Sequence, residues 1–264
     1  MFTINPFAEL AKSIPSIAMQ LFVITMILLV IIGTFVDILH KKNVKYFFQN
    51  AKKAKKQAKR VLESGERTSI VFKTIRSDIL TTAELGVGKR RVAHLLGMYG
   101  TIIFWISSAV MIFGYSSSNA NTPSYIPFLW HFGALMTCLG GYWFWFFLRV
   151  DVAAEAHPWY RLIQADLFVL SLVITSTLGL IWSFLQSSKI GGWDTLFLAL
   201  FALSNLVLFG GVYWSKFAHM FYKPGAAIQK NLAEADGSRD NLPLPSEKPK
   251  QFGLGIKRES PKHY

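Results

Sequence analysis

Five long apolar runs decide what this chain can become. They cover about residues 17–39, 92–115, 126–148, 162–185 and 195–213. At 1.5 Å per helical residue, runs of this length cross a hydrocarbon layer of roughly 30 Å. In lipid every backbone N–H and C=O must be paired inside the protein, so such runs form helices. The composition agrees. The 264 residues are 52% hydrophobic and 15% aromatic but only 16% charged, more apolar surface than one soluble core consumes. The expected fold is therefore all-α: an integral membrane bundle of five transmembrane helices. A lone cysteine, Cys138, excludes an internal disulfide and any cysteine-ligated iron–sulfur cluster held by this chain alone.

The charges set the expected orientation. Residues 41–91 carry fifteen Lys and Arg against four Asp and Glu, the loop Arg149–Arg161 contributes two arginines beside Asp151 and Glu155, and the tail after Tyr222 is basic. The two intervening loops contain only Lys189 as a cation. Lys and Arg beside spans stay on the cytoplasmic side, so the N-terminus is expected outside and the C-terminus in the cytoplasm. Four regions follow: 1–40, an interfacial lead-in and the first transmembrane helix; 41–91, a basic helical cytoplasmic segment; 92–224, a four-helix core; and 225–264, a polar cytoplasmic tail of disordered composition. No basic region precedes the first run and no small-residue cleavage site follows it, so a cleaved signal peptide is not expected. The net charge of +13 also suits anionic lipid or nucleic acid. Its confinement to loops tethered between spans argues for membrane topology and against nucleic acid.

Ionisable side chains inside spans are costly and mark function by default. Of the six histidines, His94 opens the second run and His219 follows the fifth. On the expected topology both lie near the cytoplasmic face, where two imidazoles on facing helices can clamp a haem iron. Gly97 stands at i+3 from His94, and Gly211 and Ser215 at i−8 and i−4 from His219; small residues at helical spacing let a flat macrocycle approach the backbone. They serve helix–helix packing equally well, so the residues alone leave both readings open. Arg90, Arg91 and Lys216 lie within about a turn of these histidines, where cations pair with propionates. His131, beside Trp130 at the other side of the membrane, reads as an interfacial aromatic-belt residue or as part of a quinone site. His157, before Pro158, reads as a loop residue or a member of a proton path. His40 lies at the edge of the first run and His263 in the tail.

Arg91-Val92-Ala93-His94-Leu95-Leu96-Gly97-Met98-Tyr99-Gly100, Arg67-Thr68-Ser69-Ile70, and above all Ser215-Lys216-Phe217-Ala218-His219 resemble the membrane cytochrome b family. That family includes the respiratory nitrate reductase gamma subunit and the membrane cytochromes of heterodisulfide reductase and of the quinone-interacting membrane-bound oxidoreductase. The resemblance covers about residues 65–225. It implies b-type haems stacked across a cell membrane, with the cytoplasmic-side pair of ligands matching His94 and His219. The outer pair matches Phe104 and Phe201, which cannot ligate iron, so one haem b is implied. With it come quinone as substrate and a cytoplasmic iron–sulfur or flavin subunit as partner. The chain would then be an electron-transfer and anchor subunit in a respiratory oxidoreductase complex, not catalytic alone, with its basic segment and tail docking the soluble partner or anionic lipid. A haem-free membrane anchor is the alternative that the same likeness allows, and a small transporter a more distant one.

Overall fold

The structure is a computed structural model that describes residues 1–86, 88–117, 121–149 and 160–238. His157 and His263 lie outside the described residues. All regular structure within them is helical. Four helices are long and apolar enough to cross a membrane: Ser16–Lys41, Lys89–Gly114, Gln164–Ser187 and Trp193–Gly210. The chain divides into two compact units, one of residues 1–41 and 87–220, the other of residues 42–86 and 221–264.

In the first unit, α1 (Pro6–Leu10) and α2 (Ser16–Lys41) are followed by α5 (Lys89–Gly114), α6 (Tyr125–Trp143), α7 (Leu167–Ser187) and α8 (Trp193–Gly210); α3 and α4 belong to the second unit. The long helices alternate in direction. Ser16 at the start of α2 donates to the Ser116 carbonyl just past α5 (2.7 Å), and Gln20 to the Ile112 carbonyl (3.3 Å). At the opposite end Lys41 donates to the Tyr213 carbonyl, which follows α8 (3.2 Å). Arg90, opening α5, donates to Leu148 past the end of α6 (3.3 Å). The bundle thus has an amino-terminal end, closed by residues 1–16, and a basic end carrying Lys41, Arg90 and Arg149.

The tightest packing joins α5 to α6. A Cβ on Gly140 would lie 2.6 Å from both the Ala93 carbonyl oxygen and the Gly97 nitrogen; on Gly100 it would lie 2.6 Å from the Thr137 nitrogen, and on Gly133 2.7 Å from the Phe104 nitrogen. Lipid supplies no hydrophobic force between helices, so backbones must approach closely to gain dispersion energy, and glycine permits it. Helix α6 is less apolar than its neighbours because it carries these glycines together with Trp130, His131 and Thr137. All of those are buried, and its exposed residues are Tyr125, Phe128, Leu129, Phe132, Leu135, Leu139 and Tyr142. Its polarity points inward. Past Trp143 the helix widens into a π turn, Phe144–Leu148.

The lead-in before α2 packs against the amino-terminal end of the bundle. Asn5 caps α1 by accepting from the Phe7 and Ala8 amides (3.0 and 3.3 Å), while its own amide donates to the Tyr115 carbonyl and Thr122 hydroxyl (3.1 and 3.0 Å). That places Phe7 in edge contact with Trp130, at 5.8 Å, and beside Trp182, at 5.5 Å.

The second unit contains α3 (Asn43–Gln57), α4 (Ser64–Thr74, continuing as a π turn over Ile75–Leu80), a 3-10 turn at Ala83–Leu85 and most of α9 (His219–Ala235). A Cβ on Gly225 would lie 3.9 Å from the Phe47 ring and one on Gly237 3.2 Å from Lys59, so α3 and α9 run parallel. The Lys59 and Arg60 amides both donate to the Asp236 carbonyl, at 2.9 and 3.3 Å. Asn231 of α9 reaches the Thr74 hydroxyl and the Asp78 carboxylate, both at 2.8 Å. The polar tail, expected to lose order from residue 225, instead continues as helix through Ala235 because α3 and α4 supply the surface on which its apolar side packs.

The α5–α6 seam gives a direct test. Gly140→Val places its Cβ against backbone atoms that cannot rotate away, and overpacking of this kind costs about 1–3 kcal/mol. A clear drop in thermal midpoint in detergent is expected, whereas Gly114→Ala, whose Cβ meets nothing within 4 Å, should leave it unchanged.

Candidate functional site at the basic end

The last apolar run does not continue as helix to His219. Helix α8 stops at Gly210, and the chain passes through turns: the Trp214 and Ser215 amides donate to the Gly211 carbonyl (3.1 and 2.9 Å), and the Ser215 hydroxyl accepts from the Phe217 amide (3.1 Å). At the break Gly211 keeps an ordinary φ of −79° and is required for space, since a Cβ there would lie 2.6 Å from the Val207 carbonyl oxygen. The expected stripe of Gly211, Ser215 and His219 on one helix face is therefore absent. Gly211 instead packs against α7, where a Cβ would lie 3.2 Å from Leu167. Ser215 is spent on the turn.

What the turn achieves is to drive residues 212–218 inward. Val212, Ser215, Phe217 and Ala218 are all buried. The Phe217 ring stacks on Trp105 of α5 (6.0 Å, 13°) and meets Phe168 of α7 at 5.2 Å and Phe209 at 5.9 Å. His219 then opens α9; its ring lies outside the described part of the structure. Eleven residues, about three helical turns, separate His94 from Trp105, so both occupy one face of α5. The face that carries His94 is thus the face that meets the segment leading to His219.

The His94 side chain is exposed, and a Cβ built on Gly97 meets nothing within 4 Å among the described residues, although the Gly97 nitrogen itself adjoins Gly140 of α6. Thr101, one turn further, is buried and faces Thr137 (3.4 Å between hydroxyls). Lys216 is exposed and Arg90 and Arg91 are half-buried. In the α5 half of the expected site the chain offers His94 and Gly97; in the other half it offers His219 and Lys216, but not Gly211.

Towards the amino-terminal end the interior is filled with rings. Phe104 touches Trp130 (5.1 Å) and Phe201 (6.5 Å), and Trp182 stacks on Phe201 (5.6 Å, 15°). Gly179 is needed there, because its Cβ would stand 3.1 Å from the Phe201 ring. His131 is wholly buried beside this layer, not interfacial. Its Nδ1 lies 2.7 Å from the Pro127 carbonyl oxygen, which can only accept, so Nδ1 carries the proton. Nε2 of the neutral ring then accepts from the Ser183 hydroxyl at 2.8 Å. Both ring nitrogens are engaged within the protein. Ser183 also lines a cleft of about 270 Å³ together with Glu9, Lys12 and Gln186.

Sequence reasoning passed over two ion pairs at the basic end. Arg149, after the π turn, forms a bidentate pair with Asp166 at the start of α7 (Nε to Oδ1, 3.0 Å), donates to the Arg161 carbonyl (2.7 Å) and lies 4.3 Å over the Trp145 ring. The Asp166 carboxylate also accepts from the Ile163 amide (3.0 Å). The other pair joins buried Asp37 to Lys41. The available signal was the placement of opposite charges at the ends of apolar runs. Among the described residues no group of three or more His, Cys, Asp or Glu is arranged to hold a metal ion. No protein-family model, curated protein or solved structure matches the chain.

Asp166→Ala would strand the Arg149 guanidinium, whose side chain is only 8% exposed. Breaking such a pair costs about 3–5 kcal/mol, read as a lowered unfolding midpoint in detergent. The paired change Arg149→Leu with Asp166→Leu should recover most of that loss.

Proposed function

We propose that the chain is a membrane electron-transfer subunit with five spans, holding one b-type haem between the imidazoles of His94 and His219. One observation supports the reading: the α5 face that carries His94 also carries Trp105, on which Phe217, two residues before His219, is stacked. The likeness of residues 65–225 to the membrane cytochrome b family supplies the chemistry. When bound, a b-type haem supplies one-electron transfer at its iron.

The remaining work belongs to the chain. His94 and His219 bind and orient, Gly97 lets the macrocycle approach, and Arg90, Arg91 and Lys216 offer cations to its carboxylates. The layer of Phe104, Trp130, Trp182 and Phe201 excludes water and leaves no ligand for a second haem. Quinone chemistry on this reading lies in the half of the membrane that holds His94, and the soluble redox partner, an iron–sulfur or flavin subunit, docks at the cytoplasmic face.

Packing and parity support five spans. Helix α6 runs antiparallel to α5, and its inward polarity leaves an apolar exposed face suited to lipid. Lys41 adjoins Tyr213, so the chain between them makes an even number of crossings: α5, α6, α7 and α8. The basic end is assigned to the cytoplasm of a cell membrane by its Lys and Arg. A haem-free anchor is the second reading, favoured by the way Gly211 and Ser215 are consumed in packing and turn.

The two readings separate in one measurement. Purified protein should show a reduced-minus-oxidised b-type α-band at one haem per chain, lost in His94→Ala and in His219→Ala but retained in His131→Ala. Absence of the band from a folded preparation leaves the anchor.

A further inference from the structure

The lysines of α3 have no ion-pair partner among the described residues. Lys45, Lys52, Lys53, Lys55 and Lys56 are all exposed, α3 contains no Asp or Glu, and none of the five makes a salt bridge. Residues 42–86 hold four carboxylates. Of these Glu66 is paired with Arg60, Glu84 with Lys223, and Asp78 accepts from Asn231 and Ser77. Glu63 sits at the start of α4. Helical spacing sorts the rest. Val44, Phe47, Ala51 and Ala54 form the covered side, whereas Lys45, Phe48, Lys52 and Lys56 share one exposed stripe. Phe48 is 65% exposed and its neighbour Tyr46 56%.

Aromatic rings set among unpaired lysines suit a bilayer headgroup layer, where the ring enters the acyl boundary and the ammonium groups meet phosphate. Only Lys42 separates α2 from α3, so Tyr46 and Phe48 follow the end of an apolar span by fewer than ten residues. We propose that this face of α3 binds the headgroups of anionic phospholipids. The proposal rests on α2 spanning a membrane and is independent of the haem.

The test uses the full chain with Cys138→Ser and Phe48→Cys, labelled at 48 with a polarity-sensitive dye. It is placed in nanodiscs of phosphatidylcholine alone or mixed with phosphatidylglycerol. The expected result is a blue shift only with phosphatidylglycerol, abolished in 1 M salt, where the screening length is about 3 Å. Asn50→Cys, off the stripe, should not respond. Lys45→Gln, Lys52→Gln and Lys56→Gln together should weaken the response, about fivefold per lysine. Equal emission in both lipids overturns the proposal. So does a shift produced by polyglutamate on phosphatidylcholine discs but not by phosphatidylglycerol, which assigns the face to an acidic protein. Failure of the chain to enter discs removes the membrane reading and this proposal with it.

Discussion

The rest of the bundle depends on the glycine seam between α5 and α6. Gly100, Gly133 and Gly140 bring the two backbones so close that a single Cβ on any of them would collide with main-chain atoms. Between helices in lipid, packing must supply what water supplies elsewhere, and a seam of this kind fixes rotation as well as distance. Once Ala93, Gly100, Thr101 and Phe104 face α6, the adjoining α5 face with Trp105 looks toward Phe209 of α8 and Phe217 in the turn after it. The relation between Trp105 and the segment before His219 is thus a consequence of helix rotation, set by residues that have no chemistry of their own.

The same rotation explains why the two halves of the bundle interior differ. Near the amino-terminal end, Phe104 and Phe201 enter a continuous layer with Trp130 and Trp182, reinforced by Phe7 from the lead-in. Stacked and edge-on aromatic pairs of this kind add roughly 0.5–1.5 kcal/mol each beyond their buried area. Together these rings fill that half of the interior as packed core. His131 belongs to that core as a polar node, its proton fixed on Nδ1 by Pro127 and its lone pair by Ser183.

Much of this was legible in the sequence, and the exceptions have physical reasons. All five apolar runs coincide with helices, and four of those helices are long and apolar enough to cross a membrane, as expected where a backbone must pair within its own segment. The end of α8 was misread for the same reason: apolar composition continues past Gly211, and only Gly210 and Gly211 mark the break. The order in 225–235 could not be read from a polar composition, since it comes from α3 and α4, more than a hundred residues away in the chain. The packing of Phe7 against Trp130 and Trp182 was not legible, because a short segment shows amphipathicity but not its destination. Of the site, the histidines and Gly97 stood out by residue type. The inward seat of Phe217 did not, because one Phe among 22 carries no signal until its neighbours Trp105, Phe168 and Phe209 are known.

The two ends of the bundle are closed by different forces. At the amino-terminal end the links are neutral: Asn5 to Tyr115 and Thr122, Ser16 to Ser116, and Gln186 to the Pro6 carbonyl (3.1 Å). At the basic end charged groups take part: Arg149 pairs with Asp166 across elements, and Lys41, which pairs with Asp37 within α2, donates to the Tyr213 carbonyl. Neutral closures carry little penalty for crossing a bilayer during insertion, whereas each guanidinium or ammonium resists transfer. Lys41 ties α2 to the turn after α8 through the Tyr213 carbonyl, and the Arg149–Asp166 pair ties the segment past α6 to the start of α7; charged groups of this kind are the ones that oppose passage through lipid.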